Sequence, residues 1–270
     1  MSKKSKICLA MFAMLLVLTS VLYYDFKNFC KHSVPIFAYH RVVNDNKLYS
    51  IDPTIFEQQM RYLYEQGYST MSLNEFIKDR EQTNNILQKK CIITFDDGYV
   101  DNNKNARPIM DKFGFKGTIF VAIKFMAWPN YVTWMDLWDL KTDGWEIGSH
   151  TYNHLALSEC NAKQLDYELQ ASKDFINKFD PKFNVNTLAY PFGSETEATE
   201  QALKEHGYIA AVTGVDGVNT QSTPEYRLYR VNIFNDSNNF NMFKKRLLWS
   251  QLSSWTRTYG IDITRLRELL

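Results

Sequence analysis

Two adjacent carboxylates follow a short apolar run in the first half of the chain. Residues 91–95 are typical of a buried strand, and Asp96, Asp97 and Gly98 come directly after them. Adjacent carboxylates repel each other, and burying either one is costly unless it is paired or bound to a metal ion. Asp-Gly pairs also occur in ordinary turns, so this segment alone is weak evidence for a site. A bound cation would nevertheless remove the conflict between the two acids.

Two histidines later in the chain supply further metal ligands. His150 and His154 follow a second strand-like run, residues 145–149, and the chain has only five histidines. A His-x3-His pair standing alone is more often two exposed or core histidines. Imidazole and carboxylate together suit zinc and other late first-row divalent ions, and they leave positions open for water. No glutamate separates the histidines, so the HExxH class is excluded, and the residues predict another kind of metal-dependent hydrolase.

Four segments resemble motifs of the polysaccharide deacetylase family, also called the NodB-homology domain. The TFDDG motif of that family matches residues 94–98, and its His-[Ser/Thr]-x-x-His motif matches residues 150–154. Residues 189–193, Ala-Tyr-Pro-Phe-Gly, stand where the family often has Arg-x-Pro-Tyr-Gly. Residues 39–42 are similar to the opening strand of its poly-β-1,6-N-acetylglucosamine N-deacetylase branch. The resemblance extends over residues 34–233 and implies metal-dependent removal of acetyl groups from N-acetylglucosamine polymers.

The resemblance also implies roles for the acids and the histidines. Asp97, His150 and His154 would bind one divalent ion, expected to be zinc, with cobalt or nickel as alternatives. The ion would polarise an acetyl carbonyl and lower the pKa of bound water toward about 7. Asp96 would act as the general base and accept the proton of the attacking water.

The Tyr-Pro-Phe-Gly segment has an implied role at the oxyanion. The backbone N–H of Phe192 would stabilise the tetrahedral intermediate, Pro191 would fix the loop, and Tyr190 would line the sugar groove. An ordinary strand and turn with an aromatic residue in the core is the alternative interpretation of this segment.

Two departures from the family pattern concern the base and the acid. Ala189 stands where many members have an arginine that orients the base, and Arg230, near the end of the last predicted strand, is a candidate replacement. The late Leu-x-His motif, whose histidine protonates the leaving amine, is missing. His206 lies at a predicted helix end, where a cation is favourable for structural reasons. His40, at the end of the first predicted strand, is therefore the predicted acid, with a core histidine as the alternative.

Strand-like and helix-like segments alternate along the chain from residue 34 onward, and this alternation predicts a parallel α/β sheet. Because the motifs fall at the carboxyl ends of strands, a barrel is favoured, although alternation alone leaves an open sheet possible. The resemblance implies a distorted (β/α) barrel with seven strands. We therefore expect a catalytic domain at 34–234, preceded by an anchor and linker at 1–33 and followed by a helical tail at 235–270.

The N-terminus has the composition of a membrane anchor. Residues 7–24 carry no charge, and this length is near the lower limit of about 17–25 residues for a bilayer span. The charges before the run are those of Lys3, Lys4 and Lys6. They predict a cytoplasmic N-terminus and a catalytic domain outside the cytoplasm. A cleaved signal peptide is the alternative, although its apolar core is usually shorter, about 7–15 residues. Residues 26–33 are predicted to be a short polar linker.

Composition limits the partners. The formal net charge is +1, which gives no reason to expect nucleic acid, and the expected partners are a cell-envelope glycan and the membrane. Trp128 and Tyr131, in a predicted loop, are candidates for a sugar-stacking platform, whereas the helical spacing of Trp134 and Trp138 predicts core positions. The sequence thus predicts a membrane-anchored deacetylase of poly-β-1,6-N-acetylglucosamine. Deacetylation of peptidoglycan, chitooligosaccharides or O-acetylated glycans, or glycan binding without catalysis, are the alternatives.

Overall fold

The computed structural model describes residues 3–80 and 88–264. Its strands are β1 Ile36–Tyr39, β2 Arg41–Val42, β3 Ser50–Ile51, β4 Ser69–Thr70, β5 Lys90–Phe95, β6 Thr118–Val121, β7 Glu146–Ser149, β8 Thr187–Ala189, β9 Ala210–Asp216 and β10 Leu228–Asn232. Seven of them form a closed parallel barrel in the order β1-β10-β9-β8-β7-β6-β5, because β1 pairs with both β10 and β5. The predicted seven-stranded (β/α) barrel is confirmed. The short β4 pairs with β5, and β2 pairs with β3.

Most of the helices lie around the barrel, whereas the first one precedes it and is exposed over most of its length. The helices are α1 Lys3–His32, α2 Pro53–Glu65, α3 Leu73–Asp79, α4 Arg107–Asp111, α5 Trp134–Thr142, α6 Ala162–Phe179, α7 Glu197–Glu205 and α8 Phe240–Arg257, and a π-helical turn, Asn102–Ala106, precedes α4. Several begin at capping boxes, in which the cap side chain and a side chain three residues later each bond the other's backbone N–H. These local signals explain why the starts of these helices could be predicted from the sequence.

The barrel interior is filled by side chains at alternate strand positions. Ile92 on β5 lies in an apolar cluster with Phe120 on β6 and Leu228 on β10. Since successive strand residues face opposite sides, Asp96 and Arg230 continue the inward-facing rows of Ile92 and Leu228. The outward rows pack against the helices in a second, larger cluster. The alternation therefore directs two charged side chains toward the barrel axis at its carboxyl end.

Neither tryptophan of α5 is fully buried. Trp138 is 37% exposed, and Trp134 is half-buried with its ring stacked on Phe179 of α6 at 4.3 Å. The buried side of α5 is formed by Leu137 and Leu140 instead. The prediction of a core position was wrong for Trp138, whereas Trp134 is partly buried and packs against the core. The i,i+4 spacing places both on one side of the helix but does not determine how deeply each is buried.

The segment predicted as a linker, 26–33, is helical through His32, where α1 ends. The Asp25 carboxylate accepts hydrogen bonds from Trp255 Nε1 at 2.7 Å and from the Tyr259 hydroxyl at 2.6 Å. The ring of Phe26 contacts that of Trp255, with centroids 5.4 Å apart. The end of α1 is therefore helical where it contacts the end of α8, although the composition of residues 26–33 is that of a linker. By length and composition, the α1 segment is sufficient to span a membrane or to serve as a signal sequence.

The helix expected in the tail is present as α8 and belongs to the barrel. Phe243 of α8 is fully buried, and its ring stacks on that of Phe37 in β1 at 5.5 Å. The first two residues of the predicted anchor, the side chains of Lys3 and Lys4, and the last six residues of the predicted tail lie outside the described part of the chain.

Candidate metal centre

Three predicted metal ligands converge at the carboxyl end of the barrel. Asp97 Oδ1 lies 3.2 Å from His154 Nε2 and 3.5 Å from His150 Nε2, and the two Nε2 atoms are 3.2 Å apart. A tetrahedral ion with bonds of about 2.1 Å separates its ligand atoms by about 3.4 Å. The three atoms therefore have the spacing that such an ion requires, and the residues fit a metal with at least one open coordination position.

A backbone hydrogen bond determines which nitrogen of His150 is available. Its Nδ1 lies 2.7 Å from the carbonyl oxygen of Ala189, which can only accept, so Nδ1 carries the proton. The Nε2 lone pair is then free to bind a metal, as is usual for a ligand histidine held by a carbonyl. The Ala189 position thus contributes its backbone to the site, although its side chain lacks the family's arginine.

The protonation states of His150 and Asp97 also suit a cation. Burial lowers the pKa of His150 to about 4. Burial alone would raise the pKa of Asp97, but the hydrogen bond from His154 and the neighbouring imidazoles lower it to about 2. At neutral pH His150 is thus neutral and Asp97 ionised, the forms that bind metal.

The loops around this triad have unusual backbone conformations. A positive φ occurs at Asp97, Thr151, His154 and Phe192. Such angles cost on the order of 1–3 kcal/mol for residues other than glycine and persist only where the surroundings enforce them. The enforcing contacts include the hydrogen bond from the His154 N–H to Thr151 Oγ1 at 3.0 Å. The local strain thus turns the ligand side chains toward one point.

Glu168 on α6 binds the loop that carries His150 and His154, which we call the histidine loop. Its carboxylate accepts from both the backbone N–H and the side-chain amide of Asn153, each at 2.7 Å. Glu168 is buried on the face of α6 that also buries Leu165 and Leu169. The sequence analysis missed it, although a charged residue on an apolar helix face is a readable signal for a buried polar partner.

Asp96 lines the same cavity as the triad and is paired with an arginine. Arg230 Nη1 lies 2.9 and 2.8 Å from the two carboxylate oxygens of Asp96, and both residues are buried. Arg230 Nε also donates to the Thr213 carbonyl at 2.7 Å, which fixes the guanidinium. Burial raises the pKa of Asp96, but the charges of Arg230 and the nearby histidines lower it overall. Arg230 thus occupies the place next to Asp96 that the sequence had suggested for it.

His40 lines the same cavity as the two aspartates. Its ring lies against that of Tyr49, with centroids 4.4 Å apart, and its buried Nδ1 has no hydrogen-bond partner among the described residues. Burial lowers the pKa of His40, against the opposing effect of Asp96 and Asp97. Tyr49 was missed from the sequence because it lies in an irregular segment that no motif covers. His206 instead lies at the end of α7 and contacts Asp166, as expected for a structural residue.

The Tyr-Pro-Phe-Gly segment forms the opposite wall of the cavity. Tyr190 is among the residues that line the cavity, and it is only 1% exposed. Phe192 is 76% exposed, and its ring lies 4.8 Å from that of His154. Gly193 has a φ of +67°, and a Cβ there would lie 2.6 Å from the backbone N of Gly214. Close packing of two loops therefore fixes the position of the Phe192 backbone.

Comparison with known proteins agrees with this geometry. The sequence model of the polysaccharide deacetylase family matches residues 83–211. YxkH of Bacillus subtilis, provisionally assigned as a polysaccharide deacetylase, is 33% identical over 202 residues, which are 74% of this chain and 71% of that protein. This chain belongs to the polysaccharide deacetylase family. As a member, it is a carbohydrate N-deacetylase, a hydrolase of a metal-dependent family.

Two further relatives of this polysaccharide deacetylase have more specific names. The poly-β-1,6-N-acetyl-D-glucosamine N-deacetylase of Staphylococcus epidermidis is 27% identical over 205 residues, which cover 71% of this chain and 70% of that protein. Among solved structures, the Streptococcus pyogenes deacetylase PplD in complex with acetate aligns with a TM-score of 0.71 and 26% identity, over 81% of this chain and 98% of PplD. The similarity to PplD covers nearly all of that chain, so the deacetylase barrel is present as a whole.

Proposed function

We propose that this protein is a zinc-dependent N-deacetylase of poly-β-1,6-N-acetylglucosamine. The proposal is carried by one observation, a carboxylate and two imidazoles at metal-ligand spacing beside an arginine-paired aspartate. The polymer is inferred from the name of the Staphylococcus epidermidis relative and from the Tyr-His-Arg-Val segment at residues 39–42. The products would be acetate and a free amino sugar.

Asp97, His150 and His154 would hold the ion, and two nitrogens with one carboxylate oxygen favour zinc over magnesium or calcium. When bound, the ion supplies polarisation of the acetyl carbonyl and a lowered pKa of water. The hydrogen bond from His150 Nδ1 to the Ala189 carbonyl orients the imidazole for this purpose.

Asp96 is the proposed general base. The overall lowering of its pKa keeps it ionised at neutral pH, so it can accept the proton of the water that attacks the acetyl carbon. The fixed guanidinium of Arg230 orients both carboxylate oxygens and stabilises their charge. In this role Arg230 is a positioning residue, because it acts through Asp96.

Phe192 and His40 complete the proposed mechanism. The Phe192 N–H, presented on the loop fixed by Pro191 and Gly193, would donate to the developing oxyanion. His40 would protonate the departing amine. Because burial lowers the pKa of His40, its imidazole is mostly neutral at neutral pH, and the minor protonated form that donates to the amine is a stronger acid than an exposed histidine.

Acetate release by the full-length enzyme in detergent tests the proposal. We expect release from poly-β-1,6-N-acetylglucosamine to stop with a chelator and to return with zinc. Asp96→Asn should retain zinc and lose about a hundred- to ten-thousandfold in kcat, the usual contribution of a positioned base. His150→Ala should lose both zinc and activity. Normal turnover by Asp96→Asn would exclude Asp96 as the base.

The same assay separates the alternative substrates. Peptidoglycan, chitooligosaccharides and an O-acetylated glycan are tested in parallel, and a higher kcat/KM on any of them would replace the proposed polymer. An enzyme that binds the polymer with a full zinc site and releases no acetate from any glycan would be a binding protein instead.

We also propose that α1 remains attached as a membrane anchor, with the barrel outside the cytoplasm. The bonds from Trp255 and Tyr259 to Asp25 support this, since they join the residue just after the apolar run to the barrel. Secretion after signal cleavage is the alternative. Mass spectrometry of the protein from membrane and medium fractions distinguishes the two, because cleavage would leave a shortened chain in the medium.

A further inference from the structure

An aromatic surface extends outward from His154. The Phe125 ring lies 5.3 Å from the His154 ring, and Trp128 stacks on Phe125 at 5.0 Å with an interplanar angle of 25°. Tyr131 lies 5.1 Å from Phe125 on the same loop. We call Phe125, Trp128 and Tyr131 the aromatic ridge. It begins in contact with a proposed metal ligand and leads away from the metal centre.

Trp128 presents one ring face to solvent. The residue is 48% exposed although Phe125 covers one side of its indole. The Trp128 N–H donates to the Phe125 carbonyl at 2.8 Å, so the backbone that carries the ring is fixed. A flat ring that is already ordered loses little conformational entropy when a ligand stacks on it.

The loop that carries the ridge is bonded to both metal-ligand loops. The Lys124 N–H donates to the Tyr152 carbonyl at 2.9 Å, within the histidine loop. At the other end, the Val132 N–H donates to the Gly98 carbonyl at 2.9 Å, next to Asp97. The distance between the ridge and the metal centre is therefore set by backbone hydrogen bonds, as expected if both contact one ligand.

The ligand suited to this arrangement is a chain of sugar rings. A pyranose ring has apolar C–H faces that stack on an aromatic face. We infer that Trp128 stacks on a sugar next to the residue whose N-acetyl group lies at the metal centre. The inference rests on the proposed function and deepens it, because it assigns recognition of the neighbouring sugar of the polymer to one named side chain. Trp128 is thus a specificity-determining residue.

Kinetics on N-acetylglucosamine oligomers of increasing length test this role. Trp128→Ala should raise KM for the longer oligomers about three- to tenfold, the value of one aromatic stacking contact, with a smaller change in kcat. Trp128→Phe should restore most of the difference because it keeps a flat ring. Trp138→Ala is the matched control, since this tryptophan is 37% exposed on α5 and contacts Phe183 instead of the ridge. It should leave both constants unchanged.

Two results would overturn the inference. An unchanged KM for Trp128→Ala on every oligomer, with an active parent enzyme, would remove the sugar subsite and leave the proposed function intact. A fall in kcat alone would indicate that Trp128 acts by holding His154 through Phe125.

The stacking role can also be tested if the parent enzyme releases no acetate and the proposed function fails. Calorimetric binding of the same oligomers to the parent and to the Trp128→Ala enzyme then decides the stacking role separately. Zinc content and Tm of each variant establish that it is folded.

Discussion

The two adjacent aspartates have different partners and different backbone conformations. Asp96 continues the inward row of its strand and is paired by Arg230, whereas Asp97 has a φ of 71° that turns its carboxylate to the histidines. A change of backbone conformation between neighbouring residues thus separates two like charges. It also gives them different partners, and this difference underlies the proposed division into a base and a metal ligand.

At the residue scale, we predict that Arg230→Met moves the acid limb of the kcat/KM profile to higher pH. Burial alone raises the pKa of Asp96, and the guanidinium is the first of the charges that lower it. A base works only when ionised, so a higher pKa means that activity is lost at a higher pH as the solution is acidified. We expect kcat/KM at neutral pH to fall about tenfold to a hundredfold, part of the contribution of a positioned base.

Arg230→Lys is the control for this prediction, because it keeps the positive charge and loses the Nε–H that donates to the Thr213 carbonyl and fixes the side chain. Its acid limb should lie between those of the parent and Arg230→Met. An acid limb that stays in place in a folded, zinc-loaded Arg230→Met enzyme would contradict the role given to Arg230.

At the scale of elements, the amino end of the barrel is held by a buried carboxyl outside the catalytic site. Glu146 of β7 accepts from Thr187 Oγ1 of β8 at 2.5 Å and from the Asn74 N–H in the first turn of α3 at 3.1 Å. Two strands and a helix therefore meet at one side chain. Burial raises the pKa of Glu146, against the effect of these hydrogen bonds.

We predict that Glu146→Gln flattens the pH dependence of stability and raises Tm at neutral pH. A group whose pKa is raised by folding stabilises the fold fully below its unfolded pKa, and this stabilisation is lost as pH rises through the folded pKa. The free energy of unfolding of the parent should therefore fall over that range, whereas the amide has no such dependence. Thermal unfolding from acid to neutral pH measures it, with the exposed Glu65→Gln as control. Parallel profiles for parent and Glu146→Gln would refute the prediction.

At the scale of the whole molecule, α1 and α8 join the N-terminal segment to the barrel. The Asp25 contacts lie at the end of the apolar run, so in the proposed anchored form the amino end of the barrel, where α1 leads into β1, would lie nearest the membrane. The catalytic end would then face away from the bilayer. This arrangement suits an enzyme that acts on a glycan outside the membrane.

We predict that Asp25→Ala loosens this junction without changing catalysis. The change removes the acceptor of two hydrogen bonds, worth about 1 kcal/mol each. In full-length enzyme held in liposomes, limited proteolysis should cut the 25–34 segment faster, while kcat on a soluble oligomer stays at the parent value. Asn28→Ala, at an exposed position of the same helix, is the matched control. Equal cleavage rates for the two variants would show that the Asp25 contacts do not hold the segment.

The sequence by itself determined the parts of this protein that are local. The aspartate pair, the His-x3-His pair and the helix caps are short patterns whose residues act on their immediate neighbours, so their elements were predictable. The alternation of strands and helices likewise predicted a parallel sheet, and the family resemblance supplied the number of strands.

Only the tertiary structure decided what depends on distant segments. Closure places β1 between β5 and β10, which brings His40, Asp96 and Arg230 to one end of the barrel from three parts of the chain. The helical form of residues 26–32 accompanies contacts with α8, and which side of α5 is buried is decided by packing against its neighbours. No local pattern contains this information, because each feature is stabilised by a partner that chain folding alone brings near.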